Sequence, residues 1–330
     1  MNPAPGSLLL IDASPFSRSL VLLPMVRAIR AAYPHTFIAV AATKGVCELI
    51  TSARLADETI DLGVIKRSGP GAIKRLFQLV KHTRRDGFDL AVDVSPRIET
   101  QLPSRFLLRA RLLTPLRLAG VVDSLLGRGG SERPDTHLSE CKNVLKQMGL
   151  EMKGEEIGIE IPAEENLKFE QLLTKSGSQG GEPLTLLYSA NADPARGWSP
   201  NKFGEIGERL ANNFGARIVA ADEPADQTFT RAVGDLLPKG AIKLAEPGAL
   251  QLAAAIARAS VVITDDPGLA RLAVDLHTPV VEVSSGTAAP LSEFHQIVSS
   301  SSRAAVPTDE VFIAACAMLK TERSRLLFRR

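Results

Sequence analysis

Cysteine is scarce in this sequence. Cys47, Cys141 and Cys316 stand far apart, with no CxxC pair and no histidine at metal-ligand spacing. A disulfide framework and a zinc site are therefore excluded, and each thiol reads as a small buried hydrophobe. Aromatic residues make up only 5% of the chain, while Ala, Leu and Val abound. That balance suits parallel sheets covered by helices better than an aromatic-rich sandwich or barrel. Long apolar runs are missing too: Leu20–Met25 is far too short to span a bilayer. The segment Met1–Ser7 lacks the basic stretch of a signal peptide, so a cytoplasmic location is expected. No GxGxxG, GxxxxGK[ST] or GxSxG occurs, which argues against a standard dinucleotide dehydrogenase, a P-loop NTPase or an α/β-hydrolase.

What is present is the composition of a globular protein, 45% hydrophobic and 23% charged. At 330 residues the chain exceeds the about 250–300 residues at which single cores stop growing, so two domains are expected. The net charge of +2 is too small to imply nucleic acid. Positive charge is concentrated between Lys66 and Arg117 and again from Lys320 to Arg330. A solvated basic face accounts for this, and so does an anionic membrane surface or acidic acceptor; the sequence leaves both open.

Short apolar runs alternate with amphipathic stretches. Strands are expected at Leu8–Ile11, Thr36–Ala41, Glu58–Leu62 and Leu90–Val94, and helices at Arg18–Ala32, Ile73–Arg85 and His137–Met148. The loop-forming stretch Gly177–Pro183 interrupts the pattern, which then restarts. Strands follow at Leu184–Tyr188, Ala216–Ala221, Val261–Thr264 and Val280–Val283, with helices at Pro200–Asn212, Leu250–Ala259 and Leu269–Leu276. Strands alternating with helices imply βαβ units. Two such arrays predict two Rossmann-like domains, residues 1–175 and 184–330, with the last helix able to return to the first.

In open parallel sheets ligands bind beyond the carboxyl ends of strands, where helix N-termini offer free N–H groups. Four strand ends qualify: Asp12–Arg18, Asp93–Arg97, Ser189–Trp198 and Asp265–Arg271. In the third, small and hydroxyl residues let backbone amides approach a phosphate, and Arg196 can clamp two of its oxygens; an ordinary surface loop is the plain alternative. Trp198, the only tryptophan, reads as a packing anchor. In the fourth, Gly268 admits a ligand close to the backbone, and the acidic pair can accept hydrogen bonds from sugar hydroxyls or simply cap the next helix. The five histidines form no triad visible in the sequence.

At these segments the chain resembles the family 9 glycosyltransferases, the ADP-heptose–lipopolysaccharide heptosyltransferases, from about Leu8 to Thr287. The matching features are Leu22-Leu-Pro-Met-Val-Arg-Ala-Ile, Phe88-Asp-Leu-Ala-Val-Asp93, His137 with its helix, Arg196-Gly-Trp-Ser-Pro-Asn-Lys-Phe203, and Ile256 through Pro279. The resemblance implies a GT-B fold, two Rossmann-like domains whose parallel sheets face a cleft. It also implies metal-independent, inverting transfer of a sugar from ADP-heptose to a lipopolysaccharide core. The C-terminal domain would hold the nucleotide sugar, and the N-terminal domain would meet a lipid-linked glycan acceptor. Peripheral contact with the inner face of the cytoplasmic membrane is a further expectation.

Carried over by position, Arg196 falls on a phosphate-contacting lysine, Asp266 and Gly268 on residues beside the nucleotide sugar, and Asn191 and Ala192 on phosphate contacts. Ser189 opens that loop, and Glu223 is the ribose- or adenine-side acid. Three departures stand out. Arg18 occupies the position of the general base, and arginine cannot take a proton near neutral pH. Asp12 stands where the family carries a cation, and Arg271 where it has a histidine. Either Asp12 serves as base with Arg18 steadying it, or the exchange preserves a structural ion pair in a protein that binds nucleotide sugar without transferring it.

Overall fold

The computed structural model describes residues 4–62, 87–94, 111–113, 135–178, 180–189, 197–224, 226–286 and 289–328, with backbone alone for 111–113, 135–136 and 321–328. The expected basic helix Ile73–Arg85, most of the basic stretch between Lys66 and Arg117, and the segment from 190 to 196 lie outside the described residues. The chain forms two units, Met1–Glu160 and Ile161–Arg330.

In the first unit, β1 (Ser7–Ile11), β2 (Phe37–Ala42), β3 (Glu58–Asp61), β4 (Leu90–Asp93) and β5 (Arg111–Leu113) form one sheet in the order β3-β2-β1-β4-β5. Every described pairing is parallel. All five residues of β1 are buried, as a strand covered on both faces requires. The helices are α1 (Phe16–Ser19), α2 (Leu22–Ala32), α3 (Lys44–Ser52) and α4 (Asp135–Gln147). Leu22, Leu23, Met25, Val26 and Ile29 bury one side of α2, and α4 packs against it.

The single helix expected over Arg18–Ala32 is two helices with a turn at Leu20 and Val21. Pro24 explains the break. It has no N–H to offer the Leu20 carbonyl, and its ring would clash there, so a helix containing it must begin within the preceding turn.

The second unit begins with α5 (Ala163–Lys175), followed by β6 (Leu184–Tyr188), α6 (Pro200–Phe214), β7 (Arg217–Ala221) and α7 (Thr228–Val233). Then come β8 (Ile242–Leu244), α8 (Ala249–Arg258), β9 (Val261–Thr264), α9 (Pro267–Asp275), β10 (Val280–Ser284), β11 (His295–Ser299) and α10 (Thr308–Phe328). The sheet order is β11-β10-β9-β6-β7-β8, again parallel throughout the described pairs.

Two expectations about the division change. Helix α5 belongs to the second unit: it packs on α8, and Arg258 Nε lies 2.6 Å from Glu170 Oε1. The boundary therefore falls at Glu160, ahead of the Gly-rich loop, because that loop is an αβ turn within the unit. In helix α10, Val311, Ala314, Ala315 and Leu319 enter the core of the second unit.

Helix α6 shows how local sequence fixes an element beside a strand end. Ser199 caps it, its hydroxyl accepting from the Lys202 amide, and Pro200 takes the first position, where no N–H is needed. Gly215 ends it at φ 62°, a left-handed conformation suited to glycine. Trp198, Phe203 and Phe229 stack edge to face with centroids 4.9 and 5.0 Å apart, pinning the start of α6 to the core.

Candidate functional site

Both sheets wind outward from a central strand, and in each the winding reverses between two neighbours: β1 and β4 in the first unit, β6 and β9 in the second. Open sheets of this order bind ligands outside the carboxyl ends of those strands. The sequence-predicted residues whose side chains are described cluster at or near these two places.

At the second unit's reversal, β6 ends at Tyr188 with Ser189 buried behind it, and β9 ends at Thr264 followed by Asp265. The adjacent acids have different tasks. Asp266 caps α9, its Oδ1 accepting from the Leu269 amide at 2.8 Å, while its own amide donates to Thr264 Oγ1 at 3.0 Å. Asp265 is buried, and its Oδ2 accepts from the Trp198 amide at 2.8 Å. Burial pushes the Asp265 carboxyl up to about 6, even though the Trp198 amide and the Ser189 side chain hydrogen-bond it; Asp266 adds to the rise and Arg303 opposes it. One carboxylate thus holds both Ser189 and Trp198.

Capping by Asp266 leaves Gly268 in the first turn of α9, where the amides have no intrahelical acceptor. Arg271 follows one turn on, half-buried. At the end of β7, Asp222 is buried and accepts from the amides of Phe229, at 2.6 Å, and Thr230, so it serves α7. Glu223 beside it is half-buried. Tyr188 reports how these acids converge: burial first, then Glu223, Asp266, Asp265 and Asp222, hold its phenol well above the usual range. Its hydroxyl makes no hydrogen bond among the described residues. Ser189, Glu223, Asp266, Gly268 and Arg271 are therefore gathered on α9 and the ends of β6, β7 and β9. Asn191, Ala192 and Arg196 lie outside the described residues. Sequence reasoning passed over Arg303, whose charge acts on Asp265; it lies in a short turn distant in the chain, with no motif to mark it.

At the first unit's reversal the arrangement is closed. Asp12, just past β1, has no exposure. Its Oδ1 accepts from the Ser14 amide at 2.9 Å, and its Oδ2 lies 2.9 Å from His137 Nε2. The other ring nitrogen, Nδ1, lies 3.2 Å from Glu140 Oε2. Arg18 Nη2 approaches that same oxygen at 3.8 Å. Both ring nitrogens face carboxylate oxygens, so both carry protons and His137 is an imidazolium. Burial disfavours this charge, but the hydrogen bonds to Asp12 and Glu140 overcome it and raise His137 to about 9. Burial likewise works to raise Asp12, and the hydrogen bond and charge of His137, with help from Ser14, prevail and lower it. The cation against Asp12 is His137, not the Arg18 that the sequence suggested. Buried Cys141 in the same helix is held well above its usual range by burial, then by Asp12 and Glu140, and stays a thiol.

The histidine was visible only as one element of a resemblance. Its signal was the spacing His137-x-x-Glu140 at the start of a helix, which puts both side chains on one face.

Two α/β units, each built on a parallel sheet, are the components of the GT-B class of fold. No family model matches the sequence, and no curated protein matches it at a significant level. Solved structures do. A family 9 glycosyl transferase from Veillonella parvula DSM 2008 superposes with a TM-score of 0.69 at 15% identity, over 96% of this chain and 97% of that one. The ADP-heptose LPS heptosyltransferase II of E. coli gives 0.64 at 16% identity, over 96% and 99%. An E. coli heptosyltransferase with ADP-2-deoxy-2-fluoro heptose gives 0.61 at 16% identity, over 97% and 99%. The chain shares the GT-B fold of these proteins. No helix among the described residues is long and apolar enough to cross a membrane.

Proposed function

We propose that the chain is a family 9-type glycosyltransferase, a metal-independent inverting enzyme that moves a heptose-like sugar from an ADP-sugar to a lipopolysaccharide-core or related envelope acceptor. The observation that carries this reading is the furnished strand ends of the second unit. A capped helix N-terminus, a small buried serine and half-buried acids converge there, in a fold shared with proteins whose described ligands include ADP and an ADP-heptose analogue.

The chemistry follows from the groups. The amides at the start of α9, with Arg196 and Arg271, offset the diphosphate charge as it leaves. Asp266 and Glu223 accept hydrogen bonds from ribose and sugar hydroxyls. The acceptor hydroxyl attacks the anomeric carbon from the face opposite the diphosphate, the C–O bond to phosphate breaks, and configuration inverts. The reading extends to cytoplasmic work at the inner membrane face on a lipid-linked glycan.

A second reading is favoured by one observation. Asp12, the candidate base, has no exposure and is bound on both oxygens. A nucleotide-sugar-binding protein without transfer needs no base. Calorimetric titration with ADP and ADP-heptose, followed by turnover with heptose-deficient lipopolysaccharide core and EDTA present, separates the two. Binding with turnover supports the transferase. Binding without turnover supports the binding protein, and no binding overturns both.

A further inference from the structure

Resting on the transferase reading, we propose that the proton acceptor for the attacking hydroxyl is Glu140, with His137 and Asp12 as positioning residues behind it.

The case begins with elimination inside one cluster. Arg18 is a permanent cation and cannot accept a proton. Asp12 offers nothing to a ligand, because its side chain has no exposure and each oxygen already has a donor. His137 is protonated on both nitrogens by its two carboxylate neighbours, so it has no lone pair to give. Asp93, at the end of the neighbouring strand β4, has no exposure either.

Glu140 differs from all of these. Both of its polar contacts fall on one oxygen: Oε2 takes His137 Nδ1 at 3.2 Å and faces Arg18 Nη2 at 3.8 Å. Its other oxygen, Oε1, makes no hydrogen bond or ion pair among the described residues. The side chain is 19% exposed, against 0% for Asp12 and 2% for His137. One oxygen is therefore fixed from inside while the second is left for a ligand, the arrangement that a positioned base requires. Arg18, also 19% exposed, sits where it can orient the acceptor while its charge helps fix Glu140.

The step balances simply. The acceptor oxygen bonds to the anomeric carbon, the bond from that carbon to the diphosphate oxygen breaks with its electron pair, and the hydroxyl proton passes to Glu140 Oε1. His137 keeps both protons throughout. Its role is to hold the carboxylate at a fixed angle, as Asp12 holds the ring.

The test uses the full chain with ADP-heptose and heptose-deficient lipopolysaccharide core. Glu140→Gln keeps an oxygen for His137 Nδ1–H but cannot take the proton. The expected result is a loss on the order of 10²- to 10⁴-fold in kcat, with ADP affinity unchanged. In Glu140→Ala, added formate should restore part of the lost rate, which a merely structural role would not allow. If the wild-type protein transfers sugar and Glu140→Gln stays within about threefold of it, the assignment to Glu140 is overturned and the transferase reading stands. If Glu140→Ala is inactive and formate restores nothing, Glu140 is structural. If the wild-type protein binds ADP-heptose and transfers nothing, the transferase reading falls, and this assignment with it.

Discussion

The two units share a strand order, yet their reversal points are furnished in opposite ways. In the first unit the loop after β1 is closed by charge. Asp12 and Glu140 carry two negative charges, His137 and Arg18 two positive, and both carboxylates meet a histidine that is 2% exposed. In the second unit Ser189 and Trp198 are held by a single carboxylate, Asp265, whose burial keeps its proton affinity high, and acids beside it stay half-buried. A buried charge is tolerated where a counter-charge meets it, and otherwise it drifts toward neutrality. The same topology therefore supports a corner of paired buried charges in one unit and a corner of half-buried acids around one buried carboxyl in the other.

The comparison breaks first at His137. Replacing it with leucine leaves Asp12 buried without a counter-charge, and a loss of about 3–5 kcal/mol in stability is expected by denaturant unfolding. A loss below about 1 kcal/mol would mean that the corner is not closed. Replacing Asp12 with asparagine in the same background should recover part of the loss, since no charge is then stranded. Next comes Asp265→Ala, which leaves the Trp198 amide without an acceptor; about 1–3 kcal/mol is expected. Trp198 is the only tryptophan, so its fluorescence reads the second unit alone. Asp266→Ala removes a helix cap and should cost about 1 kcal/mol, with a weaker hold on ADP.

The pH responses should have different windows. His137 has its folded value raised to about 9 from 6.5. Its contribution is complete below pH 6.5 and is lost as the pH rises through 9. Asp265 is raised from 3.8 to about 6, so the fold prefers its neutral form. Its contribution is greatest below pH 3.8, falls as the pH rises toward 6, and is level above. Trp198 emission should follow that titration with a midpoint near 6, and Asp265→Asn should abolish the midpoint. Equal slopes in both windows would show the two corners to be alike.

Much of this architecture was legible beforehand. Leu184–Tyr188 and Val261–Thr264 were bounded correctly because continuous apolar runs bracketed by polar residues admit little else. That one of the acidic pair could cap the next helix was legible as well, and the structure assigns the cap to Asp266. Where the reading slipped, a local rule was passed over or none existed. Pro24 forbids one long helix from Arg18, and that much was available. The assignment of α5 to the second unit was not, because its partner α8 begins some seventy residues later and nothing in Ala163–Lys175 names it.

The sequence by itself determined the alternation of strand and helix, the two arrays, and the strand ends where a ligand site belongs, since each depends on patterns within about 20 residues. Only the tertiary structure decided what meets Asp12. The sequence offered Arg18, six residues away, as its counter-charge. The fold instead brings His137 from 125 residues away to 2.9 Å, and turns Arg18 toward Glu140. Proximity along a chain limits which charges can pair, but packing chooses among them: α4 packs on α2 and buries Leu138, Cys141, Val144 and Leu145. Burying that face sets the register that carries His137 to the end of β1.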